Sequence, residues 1–242
     1  MRVRMWKIGL LISMMWCSSM GTVEAKPQLT WEEHFNRKQI NQQKWQVLEE
    51  KPYKNKELQI YAKKNIVVKN GRLFIQSERR NGKYYSGAMQ VKAGYAIRYG
   101  RIDIRAKLPV GKGVFPAIWM LPVANRALPE IDIMEMVGDK PNEIWQVYHF
   151  LDQKGKQQRT FARHVGENLS KTFQTYSLIW RPNELTWLLN GKVLHRTPQA
   201  PNVSMRIILN VAIGGNWPGS PDHTTNFPQY MEVDWIKVYN ER

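Results

Sequence analysis

The sequence predicts an all-β protein, an antiparallel β-sandwich of two packed sheets. Three observations carry this expectation. Apolar and polar residues alternate with period two through much of the chain, and turn residues interrupt that alternation at short intervals. Helical periodicity is weak throughout the part beyond residue 26. Many short strands with regular turns pack most simply as two sheets, face to face.

The elements follow in order. Arg72 to Ser77 alternates after the turn Asn70-Gly71. Arg101 to Leu108 alternates charged and apolar residues and stops at Pro109. Leu185 to Leu189 and Lys192 to His195 flank Asn190-Gly191. Asn-Gly tolerates the positive φ angles of a tight primed turn, so these two runs read as a hairpin. Arg206 to Ile213 is more continuously apolar, and Met231 to Tyr239 alternates again. A sandwich of this size can curve and leave a long groove on one face, a shape that suits a polymer better than a small molecule.

Composition sets the outer bounds. The chain has 242 residues with no linker, repeat or low-complexity tract after Lys26, which reads as one domain over residues 26–242. Hydrophobic residues at 43% and charged residues at 23% indicate a folded core and not a disordered chain. Residues 1–25 read as a secretory signal peptide: Arg2, Arg4 and Lys7 lead a short apolar run, and Val23-Glu24-Ala25 resembles a cleavage site. The bulky Met14-Met15-Trp16 before Cys17 argues against a lipid anchor there. The expected product is secreted or periplasmic, with no stable membrane insertion after cleavage. Cys17 is the only cysteine, so the mature domain would depend on its core for stability and not on disulfides.

The net charge of +16 falls to about +14 without the first 25 residues. Such a charge attracts nucleic acid, anionic membranes or acidic polysaccharides. No compact Lys/Arg block with interleaved aromatics appears, so a nucleic-acid partner is not expected. The 10 tryptophans suit the stacking of flat sugar faces as well as core packing.

The segment Glu130-Ile131-Asp132-Ile133-Met134-Glu135 carries the chemistry. On a strand, Glu130 and Asp132 share one face while Ile131 and Ile133 enter the core. Regular alternation sends Glu135 to the opposite face, because five is an odd offset. One extra residue, a β-bulge near Met134, would return it to the face of Glu130. Two carboxyl groups so placed are the equipment of a retaining glycosidase. Their mutual repulsion raises the pKa of one, which then serves as an acid. A solvated acidic edge is the bland alternative for three acids on a strand.

The surrounding segments resemble glycoside hydrolase family sixteen, the group of laminarinases, lichenases, agarases and κ-carrageenases. Trp31 to Asn36 resembles the opening strand of that family, and Asn55 to Tyr61 its N-x-E-L-Q-x-Y segment. Tyr99-Gly100-Arg101 through Lys107-Leu108-Pro109, Gly111 to Pro122, Gly214 to Gly219 and Val233-Asp234-Trp235 complete the likeness. It implies a jelly-roll sandwich with a concave groove. It also implies Glu130 as nucleophile, Glu135 as acid/base and Asp132 as the residue that orients and tunes the nucleophile. The bulged signature with Met134 is most similar to the laminarinases, which are endo-1,3-β-glucanases.

Substrate contacts are expected from Trp119, Trp217, Asn55, Glu57, His149, Phe115 and Trp145, with Asn55 and Glu57 in a loop at the groove end. Phe115, Ala88 and Trp145 depart from the laminarinase pattern, where tryptophan, arginine and histidine are usual. The polymer therefore stays open: β-1,3-glucan first, a galactan of the agar, carrageenan or porphyran type second. A non-catalytic β-glucan-binding protein is a third reading, which the retained glutamates oppose. A transglycosylase would share the covalent intermediate. No cofactor is required for such chemistry, and the histidines show no zinc-ligand spacing. The likeness leaves room for a structural calcium at Asp234, Gly71 and the backbone of His34. A monomer is expected.

Overall fold

The computed structural model describes residues 27–50 and 55–240. The expected signal peptide, residues 1–25, lies outside them. The described residues form seventeen strands: β1 (Gln28–Glu33), β2 (Trp45–Val47), β3 (Gln59–Tyr61), β4 (Ile66–Lys69), β5 (Arg72–Arg80), β6 (Lys83–Ser86), β7 (Ala88–Val91), β8 (Gly100–Lys107), β9 (Val114–Pro122), β10 (Glu130–Glu135), β11 (Glu143–Leu151), β12 (Gln157–Val165), β13 (Gln174–Arg181), β14 (Glu184–Leu189), β15 (Lys192–Thr197), β16 (Met205–Ile213) and β17 (Gln229–Asn240). The helical segments among them are single 3₁₀ turns at Lys63–Asn65 and Ala93–Tyr95.

Two sheets result. One runs β15-β14-β13-β8-β17-β5-β6-β3, with β1 added to β17 and β4 to β5. The other runs β12-β11-β10-β9-β16-β7-β2. Pairing is antiparallel throughout the described ladders except between β3 and β6. The fold is thus the antiparallel-rich sandwich that the alternating pattern predicts, in the jelly-roll form that the family resemblance implies. Every alternating run named above became a strand. The Asn190-Gly191 turn has φ of 50° and 82°, as a primed hairpin requires.

The core lies between the sheets. Ile102, Ile104, Leu178 and Trp180 from the first sheet meet Ile118, Met120, Ile131 and Leu209 from the second. β16 is buried on both faces except at Arg206, which accounts for its unbroken apolar sequence. Its inner face is core, and Asn210 and Ala212 of its outer face lie under a groove. Among the described residues no helix is long and apolar enough to cross a membrane.

Candidate active site

β10 lies third from one edge of the seven-stranded sheet, between β9 and β11. Its pairing with β11 runs Glu130 to His149, Ile131 to Tyr148 and Asp132 to Val147, then jumps to Glu135 opposite Trp145. Three residues of β10 therefore advance against two of β11. Against β9 the slip falls between Asp132 and Met134. This is the β-bulge expected from the odd offset, and Glu135 returns to the outer face with Glu130 and Asp132. Ile131, Ile133 and Met134 are buried in the core and anchor the strand from beneath.

A bulge leaves backbone groups without ladder partners. Here the indole Nε1 of Trp187 donates to the carbonyl of Asp132 at 2.9 Å. Trp187 belongs to β14 of the opposite sheet and is fully buried. The strand carrying the carboxylates is thereby tied across the core at the point where its own ladder is broken.

The electrostatics follow from crowding. Burial pushes the Glu135 carboxyl up to about 8, and the charge of Glu130 adds to the effect. Asp132 is 3% exposed and is raised well above the usual carboxylate range, first by burial and then by Glu135 and Glu130. Its Oδ2 has no hydrogen-bond partner and lies 3.5 Å from His149 Nε2. The same nitrogen is 3.8 Å from Glu130 Oε1. Burial, with Arg159 nearby, holds the His149 pKa down, which favours the neutral ring. One ligand atom from each of Glu130, Asp132 and His149 falls within a 4.8 Å span. Sequence spacing could not reveal this grouping, because strand pairing creates it.

Two clefts, of about 510 and about 410 Å³, cross the outer face of the sheet. They share Asn55, Glu57, Phe115 and Glu135. The carboxylates thus stand in mid-groove with room on both sides. Trp145, His149 and Trp217 line the larger cleft, while Trp119, Glu130 and Asp132 line the smaller. All of the expected contact residues therefore border the groove.

Asn55 and Glu57 were expected at the groove end and instead sit where the clefts meet. The reason is local. Asn55 and Lys56 both adopt positive φ, and Glu57 bridges to Gly214, which carries this loop over the sheet. Gln59 then fastens it, donating to Glu57 Oε2 at 2.7 Å and accepting from the Ile213 amide at 2.8 Å.

The aromatic residues are held in definite poses. Trp217 is 46% exposed and meets Phe115 and Trp145 edge to face, with centroids 5.3 and 5.5 Å apart. Trp119 donates to Asn210 Oδ1 at 2.7 Å, and Asn210 donates to the Tyr61 hydroxyl at 3.0 Å. Sequence reasoning missed Tyr61 and Asn210 as supports, and Arg159 and Phe161 as lining. The clearest available signal for the last two was the alternation of Gln157 to Val165. Ala88, in place of the usual arginine, is buried opposite Asn210.

The expected calcium position does not suit a dication as it stands. The Asp234 carboxylate is bonded by Arg105 and approached by Arg72 at 3.9 Å. Lys107 and Arg72 also hold the neighbouring Glu232. The His34 ring is turned to Glu32, at 2.9 Å. Three cations already balance this acidic pair.

Comparison with known proteins agrees with this geometry. The profile of Glycosyl hydrolases family 16 matches residues 39–237. The chain is 30% identical over 258 residues to glucan endo-1,3-beta-glucosidase A1 of Niallia circulans, covering 88% of this chain and 38% of that protein. It is 30% identical over 264 residues to a beta-glucanase of Rhodothermus marinus, covering 95% and 92%. The laminarinase catalytic domain of Thermotoga maritima superposes with a TM-score of 0.80 at 32% identity, over 89% of this chain and 99% of that one. With this match over most of its length, and with its two glutamates on a bulged strand in mid-groove, the chain belongs to glycosyl hydrolase family 16.

Proposed function

We propose that this protein is an exported, retaining endo-hydrolase of β-1,3-glucan. The observation that carries the reading is the bulge at Ile133-Met134, which brings Glu135 onto the face of Glu130. The glucanase relatives, at 30% to 32% identity, support the choice of glucan. The signal-like residues 1–25 support export.

The chemistry follows from the placement. Glu135 holds a proton at neutral pH, because its pKa is raised to about 8. The Glu130 carboxylate attacks the anomeric carbon while Glu135 gives its proton to the departing glycosidic oxygen. The C–O bond breaks and a glycosyl ester forms on Glu130. Glu135, now ionised, takes a proton from water. That water attacks the same carbon and frees Glu130, and two inversions leave the original β configuration. Asp132, its buried carboxyl held well above the usual carboxylate range, is the neighbour that orients and tunes Glu130. Enzymes of this family in general need no cofactor.

The groove supports internal cleavage, since it continues on both sides of Glu135. Laminarin is the direct test. The expected result is a rise in reducing ends with a rapid fall in chain length. A folded preparation that releases none would overturn the assignment.

A further inference from the structure

Strand pairing carries the rows of β10 onward to β12. Glu130 faces His149, which faces Arg159; Asp132 faces Val147, which faces Phe161. Glu135 faces Trp145, which faces Arg163. Paired residues share a face of the sheet. Arg159, Phe161 and Arg163 therefore stand on the groove side, two strands or roughly 10 Å from the carboxylates. β12 is an edge strand, and its exposed positions are the ones that face the groove. Of these side chains, Arg159 and Phe161 form the outer wall of the larger cleft.

The two arginines differ. Arg163 lies 3.6 Å from the Glu143 carboxylate. Among the described residues Arg159 forms no ion pair. Its guanidinium rests over the Phe161 ring, 5.3 Å from the centroid, and lines the cleft beside His149. Phe161 is 49% exposed, although it is a large apolar residue. Trp145 packs against the same ring with centroids 5.7 Å apart, so the aromatic pair holds the guanidinium at the cleft wall. A guanidinium presents a flat fork of N–H groups that matches two oxygens of an anion. A plain glucan offers it hydroxyls alone.

We propose that Arg159, backed by Phe161, is an anion subsite of the groove. The enzyme then favours β-glycan chains bearing sulfate or carboxylate groups on the sugar seated against this wall. The inference rests on the hydrolase reading above and deepens it.

The test compares the wild type with Arg159→Gln and Arg159→Lys on laminarin, sulfated laminarin and carboxymethylated β-1,3-glucan. In Arg159→Gln the ratio of kcat/KM on charged to neutral polymer should fall about tenfold. Arg159→Lys should keep part of it. Raising NaCl from about 50 to about 500 mM should lower the wild-type ratio and leave that of Arg159→Gln flat. The sulfated and carboxymethylated arms tell which anion is preferred. An unchanged ratio, or equal losses on charged and neutral polymer, would overturn the proposal and leave Arg159 a hydroxyl contact. Affinity gels of Glu130→Gln with and without Arg159→Gln make the same comparison without turnover. If no glucan is cleaved, the hydrolase reading fails, while retardation on charged against neutral polymer still decides the role of Arg159.

Discussion

At Glu135 the need for a group that is protonated near neutrality meets the tendency of a carboxyl group to ionise there. Burial and the neighbouring Glu130 settle the contest, and the pKa rises to about 8. Activity should therefore fall as pH passes about 8, where the acid loses its proton. Glu135→Gln should abolish that limb along with most of the activity, as a pH–rate profile would show. The same shift bears on stability. The folded state holds this proton more tightly than the unfolded chain, so the contribution is full below about 4.5 and is lost as pH rises through about 8. Glu135→Gln should then raise the melting temperature by an amount that grows between those pH values. A gain that is flat with pH would contradict the assigned cause. Glu130→Gln should lower kcat by at least about a thousandfold with the melting temperature held or raised.

At the scale of the element, the bulge is the feature most fully written in the sequence. Two acids at an even offset and a third at an odd one cannot share a face without it, and the isoleucines between them fix which face is core. The supports of the bulge were not legible. Trp187 lies 55 residues further on and reaches Asp132 from the other sheet, so that local periodicity carries no trace of the contact. Trp187→Phe should leave a buried carbonyl unpaired and cost about 1–3 kcal/mol. For a chain of this length the melting temperature should drop by about 2–4 °C per kcal/mol. The kcat should fall as well, because Glu130 and Glu135 lose their fixed separation. The mid-groove place of Asn55 and Glu57 was hidden for a related reason: positive φ at two non-glycine residues redirects the loop. The edge-to-face contacts of Trp217 allow a milder test. Trp217→Ala should raise KM on laminarin by roughly two- to tenfold with little change in kcat.

Over the whole molecule, alternation and turn residues specified two sheets, but not which side chains line the groove. Strand order decides that, since it sets β11 beside β10 with β12 beyond it and places outward side chains of both along the larger cleft. The basic charge divides as well. Arg72, Arg105 and Lys107 are spent on Glu232 and Asp234, away from the groove, whereas Arg159 faces into it. With that acidic pair already balanced, calcium and a chelator should leave the melting temperature within about 1 °C of each other. A clear rise with calcium would show that the arginines yield to the ion. The central claim is that Glu130 and Glu135 act by double displacement at one anomeric carbon. Proton NMR of laminarin during the first minutes of cleavage tests it most directly: the new reducing ends should appear as the β anomer and only later mutarotate, whereas first appearance of the α anomer would contradict it.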